Sequence, residues 1–517
     1  MQNTILLDPF DGLLSQHPFG KSDYVIQQLH VCYKRRLRKI SAHLPAAGQL
    51  LAALNRVDAY QQYRTIGDTV VRCAVQHALS QVETGAQYGL PLEQCNDVFR
   101  ATVRLLEEGT CGPLGSGLAH RLGSEPHYGW VWSGERAEDV FVRSFIHVVQ
   151  DNYGETKLCT LETDELAMLV KGAQLLDELL PRSSRSALSH AHLVAIFAPV
   201  GNWATTGSSS YIGLSGTFFL SRASLASPWW VAEQLFHEAL HQQMYDFRQG
   251  HSLLVPTYGD EEGPQVCSLW NLPNSNKSNY WNTDRVLAAF HVYVHLALLC
   301  TLAEQRATEL SAVYGPLVRM TRSRDALGRA HYLAEQLRAA CWQELGLAGR
   351  QFVDWFSSVL DALDPSPPPK GSYVHLLFDR YRREARKIDR LLSKGECHPD
   401  LSRRLEMLVK DEIATARCLL VTINADADLA RFNDGLAQFS DDDLWTRFAQ
   451  VRELISTAIM DASPDGYGWI HQPGPPDEMV KRMIESSSEI LIPLFAKDAK
   501  SSTGHRTSPE TNPTPGA

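Results

Sequence analysis

Residues 227–247, SPWWVAEQLFHEALHQQMYDF, run without a helix breaker beyond Pro228. Ser227 is a residue type that caps helix N-termini, and proline is tolerated at the first helical position because its missing N–H would go unsatisfied there anyway. A helix is therefore expected. At 3.6 residues per turn, Leu235 or Phe236, then Leu240, Met244 and Phe247 make one apolar stripe that needs a core to pack on. The other side carries His237-Glu238-Ala239-Leu240-His241, an HExxH sequence. Its histidines lie one turn apart and project from the same face, so two imidazoles can share one ion with Glu238 beside them. Tyr245, four residues beyond His241, falls on that face too and is a candidate to contact substrate.

Upstream of this segment, HLVAIFAP (192–199) and GTFFLS (216–221) are short apolar runs rich in branched or aromatic residues, and they read as two strands joined by the Gly, Ser and Thr-rich loop 201–215. From about Lys21 to Pro181 apolar residues recur at three-to-four spacing, as in Val25, Leu29, Cys32, Tyr33 and Leu37, which predicts amphipathic helices. GTCGPLGSG (109–117) lacks the GxGxxG order and reads as a loop. Downstream of Trp281 helical periodicity resumes and continues to about Gly346. Asp364 to Gly371, DPSPPPKG, stops it and reads as a linker. The fold class expected is mainly α with a small β element (α+β), the HExxH helix packed beside a short sheet and flanked by helical segments. The corresponding regions are 1–185, helical; 186–363, the metal-binding core and following helices; 372–496, helical; and 497–517, a disordered tail with almost nothing to bury. Asp441-Asp442-Asp443 reads as a helix cap rather than a metal site.

Composition narrows the function. With 517 residues, 44% apolar and 21% charged, the chain is an ordinary folded protein, and its net charge of −10 disfavours nucleic acid and anionic lipid as partners. The ten cysteines form no CxxC pair, which fits buried thiols in a reducing compartment. No basic segment precedes the first apolar run, so a cytoplasmic location is expected. The most apolar stretch, VLAAFHVYVHLALLCTLA (286–303), approaches membrane-span length but holds two histidines, and it reads as a helix buried in protein.

Two histidines hold a divalent ion weakly, so a third ligand must be sought. His291 and His295 share one face of the apolar helix, where imidazoles have no use unless each finds a partner. His291 is the ligand chosen. His295, Glu261 in the acidic turn Asp260-Glu261-Glu262, and Asp284, which lies seven residues before His291, remain alternatives.

The order of strand GTFFLS, helix AEQLFHEALH and the later WNTDRVLAAFHVYVH resembles the bacterial alpha-ketoglutarate-dependent HExxH-type peptide β-hydroxylases of natural-product clusters, over about 189–303. That resemblance implies Fe(II) held by His237, His241 and a downstream histidine, with alpha-ketoglutarate as cosubstrate. It further implies a peptide or carrier-bound amino-acyl substrate, with Arg285 as the guanidinium that clamps the distal carboxylate, since a bidentate fork suits that group. Two other functions compete. A zinc metallopeptidase would use Glu238 as general base toward water, whereas in an oxygenase Glu238 only orients a ligand or substrate. A helical binding protein with an inactive histidine cluster would hold no stoichiometric metal.

Overall fold

The computed structural model describes residues 8–16, 18–85, 88–110, 112, 114, 120–123, 129–134, 138–154, 156–200, 203, 207–260, 262–271, 279–368, 370–371, 373–393, 399–440, 445–462 and 475–501. The protein is mainly α-helical with a small β element. The chain divides into two compact units that interleave along its length: 1–255, 291–326 and 346–359 form the first, and 256–290, 327–345 and 360–517 the second. A boundary at 185 would cut through the sheet of the first unit, whose strands come from both sides of that residue. The proline run lies within the last segment of the second unit.

The sheet contains β1 (Arg121–Leu122), β2 (Gly129–Val131), β3 (Leu158–Cys159), β4 (Leu193–Phe197), β5 (Ser208–Ser210) and β6 (Thr217–Ser221), in the order β1-β2-β4-β6-β5, with β3 also pairing β4. Every residue of β4 and β6 is buried, as expected for strands covered on both faces. They are parallel neighbours, with Val194 opposite Phe218 and Ile196 opposite Leu220. The intervening residues are more than a loop: Ser208–Ser210 folds back antiparallel to β6 and forms one edge of the sheet. The N-terminal region is helical as expected, but it also supplies β1, β2 and β3.

The HExxH helix spans Pro228–Gly250. Pro228 occupies its first turn, as the sequence implies, yet the Ser227 hydroxyl makes no capping bond and is buried without a partner. Leu235, Phe236, Leu240, Met244 and Phe247 are all buried. Its rotation against the sheet is fixed by Gln242, whose Oε1 accepts from Gly216 N at 2.7 Å while Nε2 donates to the Thr217 carbonyl at 2.9 Å. On its other side lies the helix Thr163–Leu179, and the two approach closely at Gly172. A Cβ at Gly172 would stand 2.3 Å from Val231 Cγ1 and 3.2 Å from the Pro228 carbonyl. Alanine is favoured over glycine in a helix by about 1 kcal/mol, but overpacking costs about 1–3 kcal/mol, and here the obstacle includes backbone. Gly172→Ala is therefore expected to lower the urea midpoint; a higher midpoint would show that the helices separate freely.

The apolar segment 286–303 lies within the helix Thr283–Tyr314, and the most apolar window of that helix is 89% buried inside the protein. In the second unit the helices Val374–Ser393, Pro399–Thr422, Phe448–Asp461 and Pro475–Ser501 enclose a separate core. Arg452 is buried there between Glu412 at 2.6 Å and Glu384 at 3.2 Å, so the ion pairs are made inside the bundle. The last helix continues to Ser501, so the first residues of the expected tail are helical, while 502–517, Asp441–Asp443 and most of 109–117 lie outside the described residues. The described cysteines are thiols. Most are buried as expected, but Cys418 is exposed.

Candidate metal centre

Two adjacent rows of side chains on the HExxH helix make the site. His237, His241 and Tyr245 are spaced by four and half-buried, forming the face that reaches solvent. Glu238, Gln242 and Asp246, also spaced by four, turn inward and are buried. In the first row His237 Nε2 and His241 Nε2 stand 3.2 Å apart. Two nitrogens each about 2.0–2.1 Å from one ion are about 2.9–3.4 Å apart for octahedral to tetrahedral angles, so this pair fits a shared cation. The Tyr245 ring stacks on His241 with centroids 6.1 Å apart and planes 19° from parallel, which places its body beside the pair as the sequence implies.

Glu238 heads the inner row. Its Oε1 accepts a hydrogen bond from Ser208 Oγ at 2.5 Å and lies 3.9 Å from His237 Nε2. Ser208 belongs to edge strand β5, and its hydroxyl also meets Gln234 Oε1 at 2.7 Å. Glu238 Oε2 is buried and has no hydrogen-bond partner. A buried carboxylate oxygen without a protein donor is costly.

At the far end of the inner row, Asp246 accepts from Arg72 Nη1 at 2.6 Å and Nη2 at 3.2 Å, and contacts His190 Nδ1 at 2.8 Å. All three side chains are about 1% exposed or less. Burial pushes the Asp246 carboxyl up, but Arg72 and His190 outweigh it and hold the group below its ordinary value. Ser208, Gln242, Asp246, His190 and Arg72 were not singled out in the sequence. The available signal was the four-residue spacing of polar side chains from Glu238 to Asp246 on a helix side that also packs.

His291 is 2% exposed and packs on His295, with ring centroids 4.5 Å apart, and on Phe352 and Phe356. It hydrogen-bonds the Leu240 carbonyl, while its Nδ1 is buried without a partner. Burial, followed by the neighbouring His295, His241 and His190, drives its proton affinity well below that of a free imidazole, so the ring is neutral. His295 is likewise pushed down to about 4 by burial, and its Nδ1 is taken by the His291 carbonyl at 2.8 Å. Among the described residues no set of three His, Cys, Asp or Glu side chains is gathered around one point, and His291 lies near enough to His241 for their charges to interact.

The remaining candidates fall in the second unit. Arg285 is exposed and lies over the Trp281 ring at 4.9 Å, and its backbone N–H donates to Asn282 Oδ1. The Asp284 N–H points to the Tyr258 hydroxyl at 3.5 Å. Asp260 accepts from Asn282 at 3.0 Å, and Glu261 lies outside the described residues. No protein-family model and no curated protein matches the chain.

Proposed function

We propose that this protein is a metal-dependent enzyme, a non-haem Fe(II) and alpha-ketoglutarate-dependent hydroxylase acting on a peptide or carrier-bound amino-acyl substrate. The observation that carries the metal is the 3.2 Å convergence of His237 Nε2 and His241 Nε2 on the half-exposed face of a helix whose inner row is held at Glu238, Gln242 and Asp246. His237 and His241 would hold the ion, with His291 as third ligand. Support for His291 comes from its neutral, buried ring, its Nδ1 without a partner and its electrostatic reach to His241. Bound iron would supply the activation of dioxygen that hydroxylation of an unactivated carbon needs. Tyr245 would offer its ring edge and hydroxyl to the substrate, while Ser208 holds Glu238 Oε1 at 3.9 Å from His237 Nε2. Arg285 as the carboxylate clamp rests on the sequence resemblance alone.

A second function is favoured by one specific feature. Glu238 lies with Oε1 3.9 Å from His237 Nε2 and carries a second, buried oxygen, Oε2, without a donor, a carboxylate placed where a general base for hydrolysis belongs, and this supports a zinc metallopeptidase. Glu238→Gln separates the two. Protein purified without oxygen, then given ferrous iron, alpha-ketoglutarate and air, is expected to yield succinate, and the variant should retain that turnover within a few-fold. Loss of about 10²–10⁴-fold in an oxygen-independent peptide cleavage, with zinc bound and no succinate from either protein, would establish the peptidase instead.

A further inference from the structure

A cleft of about 630 Å³ opens in the first unit between the helices Leu92–Glu107 and Val140–Tyr153, away from the HExxH helix in sequence and in its lining. Arg100, Arg104 and Arg143 line it together with one acid, Asp97, on the same helix as Arg100 and Arg104, and with the apolar Ala101 and Val140. The lining thus carries an excess of two positive charges on a chain whose net charge is −10. The three arginines are exposed, and none has an ion-pair partner among the described residues. Elsewhere in the first unit arginines meet carboxylates, as Arg222 does with Glu165 and Arg306 with Glu178. Arg100 and Arg104 are also like charges four residues apart on one helix face, an arrangement that weakens a helix rather than supporting it. Arg100 has Asp97 one turn before it, but no acid in the lining answers Arg104 or Arg143, and an anionic ligand would do so.

We propose that this cleft binds an acidic peptide segment in extended conformation. Guanidinium forks suit carboxylates, and the step from Arg100 to Arg104 along the helix, about 5–6 Å between Cβ atoms, is close to the about 6.6–6.8 Å between same-side residues of an extended chain. Acids at alternate positions would therefore meet successive arginines, with Arg143 approaching from the facing helix. A single phosphate uses only part of that row. The site is independent of the metal chemistry, so each can fail without the other.

The test is fluorescence anisotropy of a labelled Glu-Ala-Glu-Ala-Glu peptide with the full chain, beside a Lys-Ala-Lys-Ala-Lys control and pyrophosphate as competitor. Saturable binding of the acidic peptide alone is expected, weakened at least about tenfold in Arg100→Glu/Arg104→Glu and abolished in about 1 M salt, where screening acts within about 3 Å. Because both side chains are on the surface, the double variant should keep the wild-type melting curve and its metal content. No saturable binding up to millimolar peptide, equal binding to the folded double variant, or displacement by pyrophosphate at or below the peptide concentration would overturn the proposal, the last by making the cleft a phosphate site.

Discussion

His237→Ala is expected to yield a folded protein that loses its divalent ion on gel filtration, with metal affinity reduced by more than about 100-fold. That figure is the upper end of what removing only a supporting contact costs, and a direct ligand should exceed it. The fold should tolerate the change, since the His237 side chain is 29% exposed and its neighbours are His241 and Glu238. Surface substitutions of this kind usually stay within about 0.5 kcal/mol. Elemental analysis of iron and zinc after anaerobic purification, alongside a circular dichroism melt, measures both quantities. Undiminished stoichiometric metal in the variant would remove the basis of the metal centre. The same assay ranks the third ligand. His291→Ala should lower metal affinity further than His295→Ala, because the His291 ring lies near enough to His241 for their charges to interact, whereas His295 is governed by burial and its bond to the His291 carbonyl.

The part of this site that the sequence discloses is the part set by local geometry. Four residues in a helix make one turn whatever surrounds them, so the juxtaposition of His237, His241 and Tyr245 could be read directly. The helix itself was legible because Pro228 opens it and an apolar row runs its length. β4 and β6 were legible as short apolar runs, but not as parallel neighbours, because register depends on what else covers the faces. β1, β2 and β3 have two or three residues each, too few for an alternating pattern to register. Contacts between distant positions left no local trace: Ser208 reaches Glu238 across 30 residues and Arg72 reaches Asp246 across 174. His291 and His295 share one helix face in the sequence, and only packing separates them, placing His291 against the Leu240 carbonyl and near His241.

Asp246→Ala should produce the largest stability loss among these variants, about 3–5 kcal/mol, the typical cost of breaking a buried ion pair from one side. The loss arises less from the missing attraction than from what remains. Arg72 would keep its charge in a fully buried position with only the Ile66 carbonyl to accept from it, and His190 Nδ1 would face an empty place. Removing both charges with Arg72→Met/Asp246→Leu should recover part of the loss, because hydrophobic replacement avoids the uncompensated guanidinium. The pH dependence follows from the depressed Asp246 carboxyl. Its ionised form is stabilised by folding, so the contribution is fully present above the unfolded-state value of about 3.9 and is lost as pH falls through the lower folded value. The difference in urea midpoint between wild type and Asp246→Ala should therefore be constant near neutrality and shrink below about pH 4. A loss under about 1 kcal/mol at pH 7, or a difference that widens in acid, would mean that the HExxH helix is not anchored through this pair. In that case the convergence of His237 and His241 would need another cause, because Asp246 and Gln242 are the inner-row contacts that tie this helix to the helix Thr69–Thr84 and to β6 and so set which way its outer face points.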